Sequence, residues 1–230
     1  AGEVAIAVAI RVAGGGKQGW YSLNAGALDS EGFDAKNNAA GDPDRDGYRN
    51  LSGSLRAGYR FGNGLEADIR WLHAAGETEF DGSSADVSDT RQQLIGAKLG
   101  ATPLNGWHSH LRLGRSRDAS DNLSNGALQS RFDTRRDSIS WQNDIALGTR
   151  DMLTLGLDHQ QEQVDSTTDY AVTERDNSAV FGQYQGKPGG HDLQVSLRRD
   201  DNEQFGEHTT GSVARGYDLS DRTRLTAAYG

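Results

Sequence analysis

Apolar and polar residues alternate one by one through most of this chain, and a period of two admits only strands whose two faces differ. In residues 51–61, Leu51, Gly53, Leu55, Ala57, Tyr59 and Phe61 share one face, with Ser52, Ser54, Arg56, Gly58 and Arg60 on the other. The next run sets Leu65, Ala67, Ile69 and Trp71 against Glu66, Asp68 and Arg70. The rhythm returns at Trp107, Leu111 and Leu113, at Ile139, Trp141 and Ile145, at Leu153, Leu155 and Leu157, at Leu193, Val195 and Leu197, and at Leu225, Ala227 and Tyr229. No stretch keeps a 3.6-residue period. The pattern predicts an all-β chain of about eleven strands, each of the ~9–11 residues that cross a bilayer when tilted.

The connections alternate in length as regularly as the strands alternate in polarity. One set is tight, at 61–65, 148–151, 186–190 and 219–222, where Gly, Asn, Asp and Pro supply the backbone angles of short turns. The other set is polar and reads as long, at 32–47, 76–90, 117–137, 162–177 and 199–208. Short turns on one side and long loops on the other is the layout of a transmembrane antiparallel β-barrel. Only 34% of residues are hydrophobic and 25% are charged; a barrel tolerates this, because every second strand residue faces a wet interior. The same arithmetic excludes a helical membrane protein, since nothing approaches ~18 consecutive apolar residues. Cysteine is absent and the formal charge is -9, so thiolate catalysis and disulfides are excluded and no nucleic-acid partner is expected. The chain opens and closes in strand-like sequence. The expectation is one partial outer-membrane barrel domain over residues 1–230, with no signal peptide or plug and with C-terminal strands missing.

Chemistry-bearing groups are sparse. Asp42, Asp44 and Asp46 alternate before Gly47, as oxygen ligands do at the front of a calcium loop. The twelfth position is Gly53 rather than a bidentate Glu, so an EF-hand fails, and further carboxylates would have to come from Asp34, Asp81 and Asp89. A solvated acidic loop is the plainer alternative. His108-Ser109-His110 is not a nucleophilic site, because Ser109 points away from both histidines in a strand and no GxSxG elbow exists. Arg56, Arg60, Arg112, Arg115 and Arg117 are expected to line a polar lumen in charge pairs. No enzyme activity is expected.

Particular stretches carry a resemblance: 29–34, Pro43-Asp44-Arg45-Asp46-Gly47-Tyr48-Arg49-Asn50, 132–141, and 197–208 followed by the closing strand 225–230. From about Lys17 onward the chain resembles the barrel of TonB-dependent outer-membrane receptors, and among them the cobalamin receptors. The resemblance implies about half of a ~22-stranded plugged barrel in the outer membrane of a Gram-negative bacterium, importing cobalamin with energy delivered by TonB through a plug domain absent from this chain. It implies that calcium orders two neighbouring extracellular loops, the matching positions being Asp34, Asp42, Asp44, Asp46, Asp81 and Asp89. It carries cobalamin contacts to Gly82 and Ser130. A siderophore receptor on the same scaffold, a passive porin and an autotransporter barrel are the alternatives.

Overall fold

The computed structural model describes residues 4–34, 45–82, 84–220 and 222–230. Twelve strands run through them: β1 (Ala5–Gly15), β2 (Gly19–Phe33), β3 (Asp46–Arg60), β4 (Glu66–Glu79), β5 (Val87–Leu104), β6 (Trp107–Ser124), β7 (Ala127–Ala146), β8 (Met152–Ser166), β9 (Glu174–Gly186), β10 (Asp192–Asn202), β11 (Gly206–Ser220) and β12 (Thr223–Tyr229). They form one sheet in which the spatial order is the sequence order. Each strand from β2 to β11 pairs antiparallel with the strand before it and the strand after it, and among the described residues β1 and β12 are the edges. The all-β architecture follows the alternation in the sequence, but the strands number twelve rather than about eleven, and most run longer than the expected ~9–11 residues, up to 20 residues in β7, because they continue past the apolar band.

The two faces differ as the pattern requires. Along β2, residues alternate between exposed and half-buried, with Tyr21 and Leu23 on the exposed face and Ser22 and Asn24 on the sheltered one. The sheltered, polar face is the concave one. The exposed face carries a band that includes Leu51, Leu55, Ile69, Trp71, Ile95, Leu113, Ile139, Trp141 and Leu157, each more than a third exposed. From Ile139 to Ile145 β7 runs ~20 Å along its own axis at about 3.4 Å per residue, a large part of a barrel's lipid-facing band once the strand tilt is allowed for. Among the described residues no large side chain is fully buried, and Ala179 is the one buried hydrophobic residue. This sheet therefore has no hydrophobic core of its own. Ladder hydrogen bonds satisfy its backbone, and its apolar surface is turned outward.

The polar stretches depart from expectation. Residues 117–137 are not a loop: β6 and β7 run on through them to a two-residue turn at Asn125-Gly126. Both turn residues have positive φ, 51° and 78°, the conformation that Asn-Gly adopts in tight hairpins. The reason is charge pairing across the ladder. Arg115 Nε donates to Asp137 Oδ1 at 2.5 Å, Arg117 Nε to Asp133 Oδ2 at 2.9 Å, and Arg131 Nε to Asp121 Oδ1 at 2.6 Å. Hydrophilic sequence does not end a strand once it has left lipid; turn chemistry does. The other polar stretches shrink likewise, to 80–86 between β4 and β5, 167–173 between β8 and β9, and 203–205 between β10 and β11.

Candidate functional site

The concave wall is lined by a chain of charged and amide groups. Near one end, Asp68 is 3% exposed and accepts from Arg56 Nε at 2.9 Å and Arg70 Nε at 3.0 Å. Further round, Gln142 Nε2 and Thr154 Oγ1 both donate to Asp144 Oδ1, at 3.0 and 2.7 Å. Arg198 bridges Asp158 at 2.6 Å and Asp200 at 2.9 Å. Its guanidinium lies 5.7 Å from the Phe181 ring centroid. These residues share a wall because alternate positions of adjacent antiparallel strands stack in register.

On the side of the longer connections, above the apolar band, the wall opens into a cavity of about 600 Å³. Leu72 and Leu94 supply an apolar patch at one side, and Gln92, Asp118, Arg136, Glu162 and Arg175 supply polar groups; Leu72, Leu94, Arg136, Glu162 and Arg175 stand in one row across the strands. Arg136 Nε donates to Glu162 Oε1 at 2.7 Å, and Arg175 bonds the other carboxylate oxygen. Those guanidiniums, Arg175 foremost, hold the Glu162 carboxyl below the usual carboxylate range, so it stays ionised as an acceptor. The arrangement offers fixed donors and acceptors beside an apolar patch, which suits recognition of a polar organic ligand rather than bond-making. Arg136 and Glu162 fall in stretches that read as loops from sequence, at 117–137 and 162–177, whereas the structure sets them within β7 and β8. What the sequence does not reveal is that three strands bring them together with Arg175.

The residues singled out from sequence fall in different places. Asp46 opens β3 opposite Phe33, across a register shift beside Gly32, whose φ is +64°. A Cβ at Gly32 would lie 1.8 Å from the Asp46 carbonyl oxygen, so this approach requires glycine. Asp34 follows β2, and Asp81 follows β4 in the 80–86 connection. These three carboxylates thus stand at the same end of consecutive strands. Asp42 and Asp44 lie outside the described residues. Asp89 is not in a loop: it sits within β5, opposite Glu77 and Asp121, on the outward face. Among the described residues, no group of three or more His, Asp or Glu side chains is placed to hold a metal ion.

Gly82 has a structural reason to be glycine, since a Cβ there would meet the Ala85 carbonyl oxygen at 2.0 Å. Ser130 stands on the concave face of β7 opposite Asn122, whose Nδ2 donates to its hydroxyl at 3.0 Å. Arg56, Arg60 and Arg112 face the lumen as expected. Arg115 and Arg117 do not: they share a face with Leu111 and Leu113 and stand outside the barrel wall, just beyond the apolar band. Their pairing with carboxylates was anticipated, but their side of the wall was not.

No family model matches the chain. It is 27% identical over 224 residues to the vitamin B12 transporter BtuB of Photobacterium profundum, a match covering 95% of this chain and 37% of that protein. It is 26% identical over 205 residues to the vitamin B12 transporter BtuB of Vibrio vulnificus, covering 84% of this chain and 33% of that protein. The chain thus spans less than half the length of these relatives. Among solved structures, a mutant of the ferric enterobactin receptor PfeA of Pseudomonas aeruginosa superposes with a TM-score of 0.79 at 12% identity, over 97% of this chain and 40% of that one. The siderophore receptor PirA of Acinetobacter baumannii gives 0.77 at 15% identity, over 97% and 40%. Sequence likeness to vitamin B12 transporters and an architecture shared with siderophore receptors together make this chain similar to part of the barrel of TonB-dependent outer-membrane receptors, whose fold it shares.

Proposed function

We propose that this barrel serves a receptor that imports cobalamin across the outer membrane, coupled to TonB through a plug domain. The observation that carries the reading is the likeness to vitamin B12 transporters along 95% of the chain. The concave cavity at the side of the longer connections supports it, because fixed amide, carboxylate and guanidinium groups beside Leu72 and Leu94 match a large ligand with carboxamide side chains and an apolar ring face. Calcium belongs to the same proposal. Asp34, Asp46 and Asp81 reach one end of three adjacent strands, and hard oxygen donors drawn from separate loops suit an ion that accepts six to eight oxygens. Bound there, calcium would neutralise carboxylates that otherwise repel, and the ordered loops would lower the entropic cost of gripping the cargo.

The test is cobalamin binding by the full-length receptor in detergent, with calcium and with a chelator. Micromolar or tighter binding that weakens at least tenfold on chelation supports both parts. Tight binding unchanged by chelator removes calcium and leaves cobalamin standing. A receptor that binds a ferric siderophore and not cobalamin overturns the cargo, and the siderophore reading then takes its place on the same scaffold.

A further inference from the structure

The tip of the β6–β7 hairpin is tied to the connections on both sides of it. On one side stands Arg131, just past a bulge: Asn122 pairs with Ser130 but Leu123 with Leu128, which leaves Gln129 as an extra residue. The Arg131 amide donates to Thr167 Oγ1 at 3.0 Å, and the Arg131 carbonyl oxygen accepts from the Thr167 amide at 3.1 Å. On the other side the tie is a single side chain. Asp86, at the end of the 80–86 connection, accepts from the Asn125 amide through Oδ2 at 3.0 Å. Because the donor is a main-chain group, the bond does not depend on the side chain at 125.

This bond is separable from those that shape the connection itself. The Asp86 amide donates to the Leu123 carbonyl oxygen at 2.9 Å, and the Phe80 amide donates to the Asp86 carbonyl oxygen at 2.9 Å. Both are main-chain bonds that an alanine at 86 would keep. Gly82 is fixed within the same connection, its amide donating to the Phe80 carbonyl oxygen at 2.9 Å. The carboxylate of Asp86 therefore joins two segments rather than shaping one. Its other oxygen, Oδ1, is sheltered from solvent and makes no hydrogen bond among the described residues. A sheltered carboxylate oxygen without a donor is unfavourable, so stability alone does not account for an aspartate here.

We propose that Asp86 is a positioning residue: its carboxylate latches the 80–86 connection to the Asn125-Gly126 turn, so that Gly82 and Ser130 meet the cargo as one surface. These are the two positions to which the resemblance carries cobalamin contacts, and they lie in the two segments that Asp86 joins. Segments linked before the ligand arrives need not be ordered separately when it binds. The inference rests on the cobalamin reading for its cargo, whereas the latch can be tested without any ligand.

The experiment compares the full-length receptor with its Asp86→Ala and Asp86→Asn variants in detergent, with calcium present. Hydrogen exchange is measured without ligand, and cobalamin affinity is measured by titration. In Asp86→Ala, protection at 80–86 and 122–128 should fall together by about fivefold, the size of one hydrogen bond, and cobalamin should bind about fivefold more weakly. Protection within the membrane-crossing halves of β6 and β7 should stay unchanged. Asp86→Asn keeps an acceptor oxygen, and should restore both readouts to within about twofold of wild type. Unchanged exchange in Asp86→Ala, or an equal loss in Asp86→Asn, overturns the latch. Faster exchange with unaltered cobalamin affinity overturns the positioning role. A wild-type receptor that binds no cobalamin overturns the cargo reading instead, and the ligand-free exchange still decides the latch.

Discussion

Asp68 shows how a single lumen-facing residue is constrained. It is almost fully buried against the wall, yet its two arginine partners are about half exposed, at 51% and 57% for Arg56 and Arg70. Removing its charge leaves two guanidiniums facing each other with no acceptor between them. Because those arginines reach solvent, the cost falls below that of breaking a fully buried pair. Asp68→Asn is expected to destabilise the receptor by about 1–2 kcal/mol, measured as a shift in the midpoint of denaturant unfolding in detergent. An unchanged midpoint would show that solvent alone screens the two arginines.

At the scale of elements, the β6–β7 hairpin beyond the apolar band is held by turn chemistry and charge. Arg131 hydrogen-bonds the Asp121 carboxylate and holds its pKa below the usual carboxylate range. A depressed pKa means that the stabilisation is present at neutral pH and is lost as pH falls through the folded value. Protection against hydrogen exchange at the tip of β6 and β7, taken relative to the intrinsic rate at each pH, should therefore fall below about pH 4 in the native receptor, and much less so in Asp121→Asn. The turn makes a separate prediction. Gly126 at φ 78° tolerates a β-branched residue poorly, so Gly126→Val is expected to raise local opening by on the order of 1–3 kcal/mol. Asn125→Gly should leave the exchange nearly unchanged. This hairpin also marks the limit of what the sequence discloses. The alternation from Trp107 to Leu113 and from Ile139 to Ile145 identifies the membrane-crossing halves of both strands, because lipid imposes the apolar period. Beyond them lipid imposes nothing, and Arg115, Arg117, Asp133 and Asp137 look like loop until the cross-strand pairing is seen. Asp89 is misplaced for the same reason.

At the scale of the whole molecule, orientation follows from the end at which β6 and β7 run on beyond the apolar band, which also carries the longest connections, 34–45, 80–86 and 167–173. The turn at 61–65 should face the periplasm, and the 167–173 connection the outside. In intact cells carrying the full-length receptor, a membrane-impermeant thiol reagent should label Thr168→Cys but not Asn63→Cys. The reverse result would invert the barrel. The candidate site was only partly legible at this scale. The acidic run at 42–46 announces itself in sequence, whereas the grouping of Arg136, Glu162 and Arg175 requires knowing which strands are neighbours.

In this sheet the spatial order of the strands is their order along the chain. Each paired strand is thus also a neighbour in sequence, and no segment must cross another to find its place. Such a ladder is modular. A hairpin can be exchanged for one from a related receptor without retracing the rest of the chain, provided that the substitute keeps the same register with its two flanking strands. Inserting one residue in a strand would instead turn every side chain beyond it to the opposite face. Variation in these barrels is therefore quantised: connections change length freely, while the lengths of the spans change in steps of two.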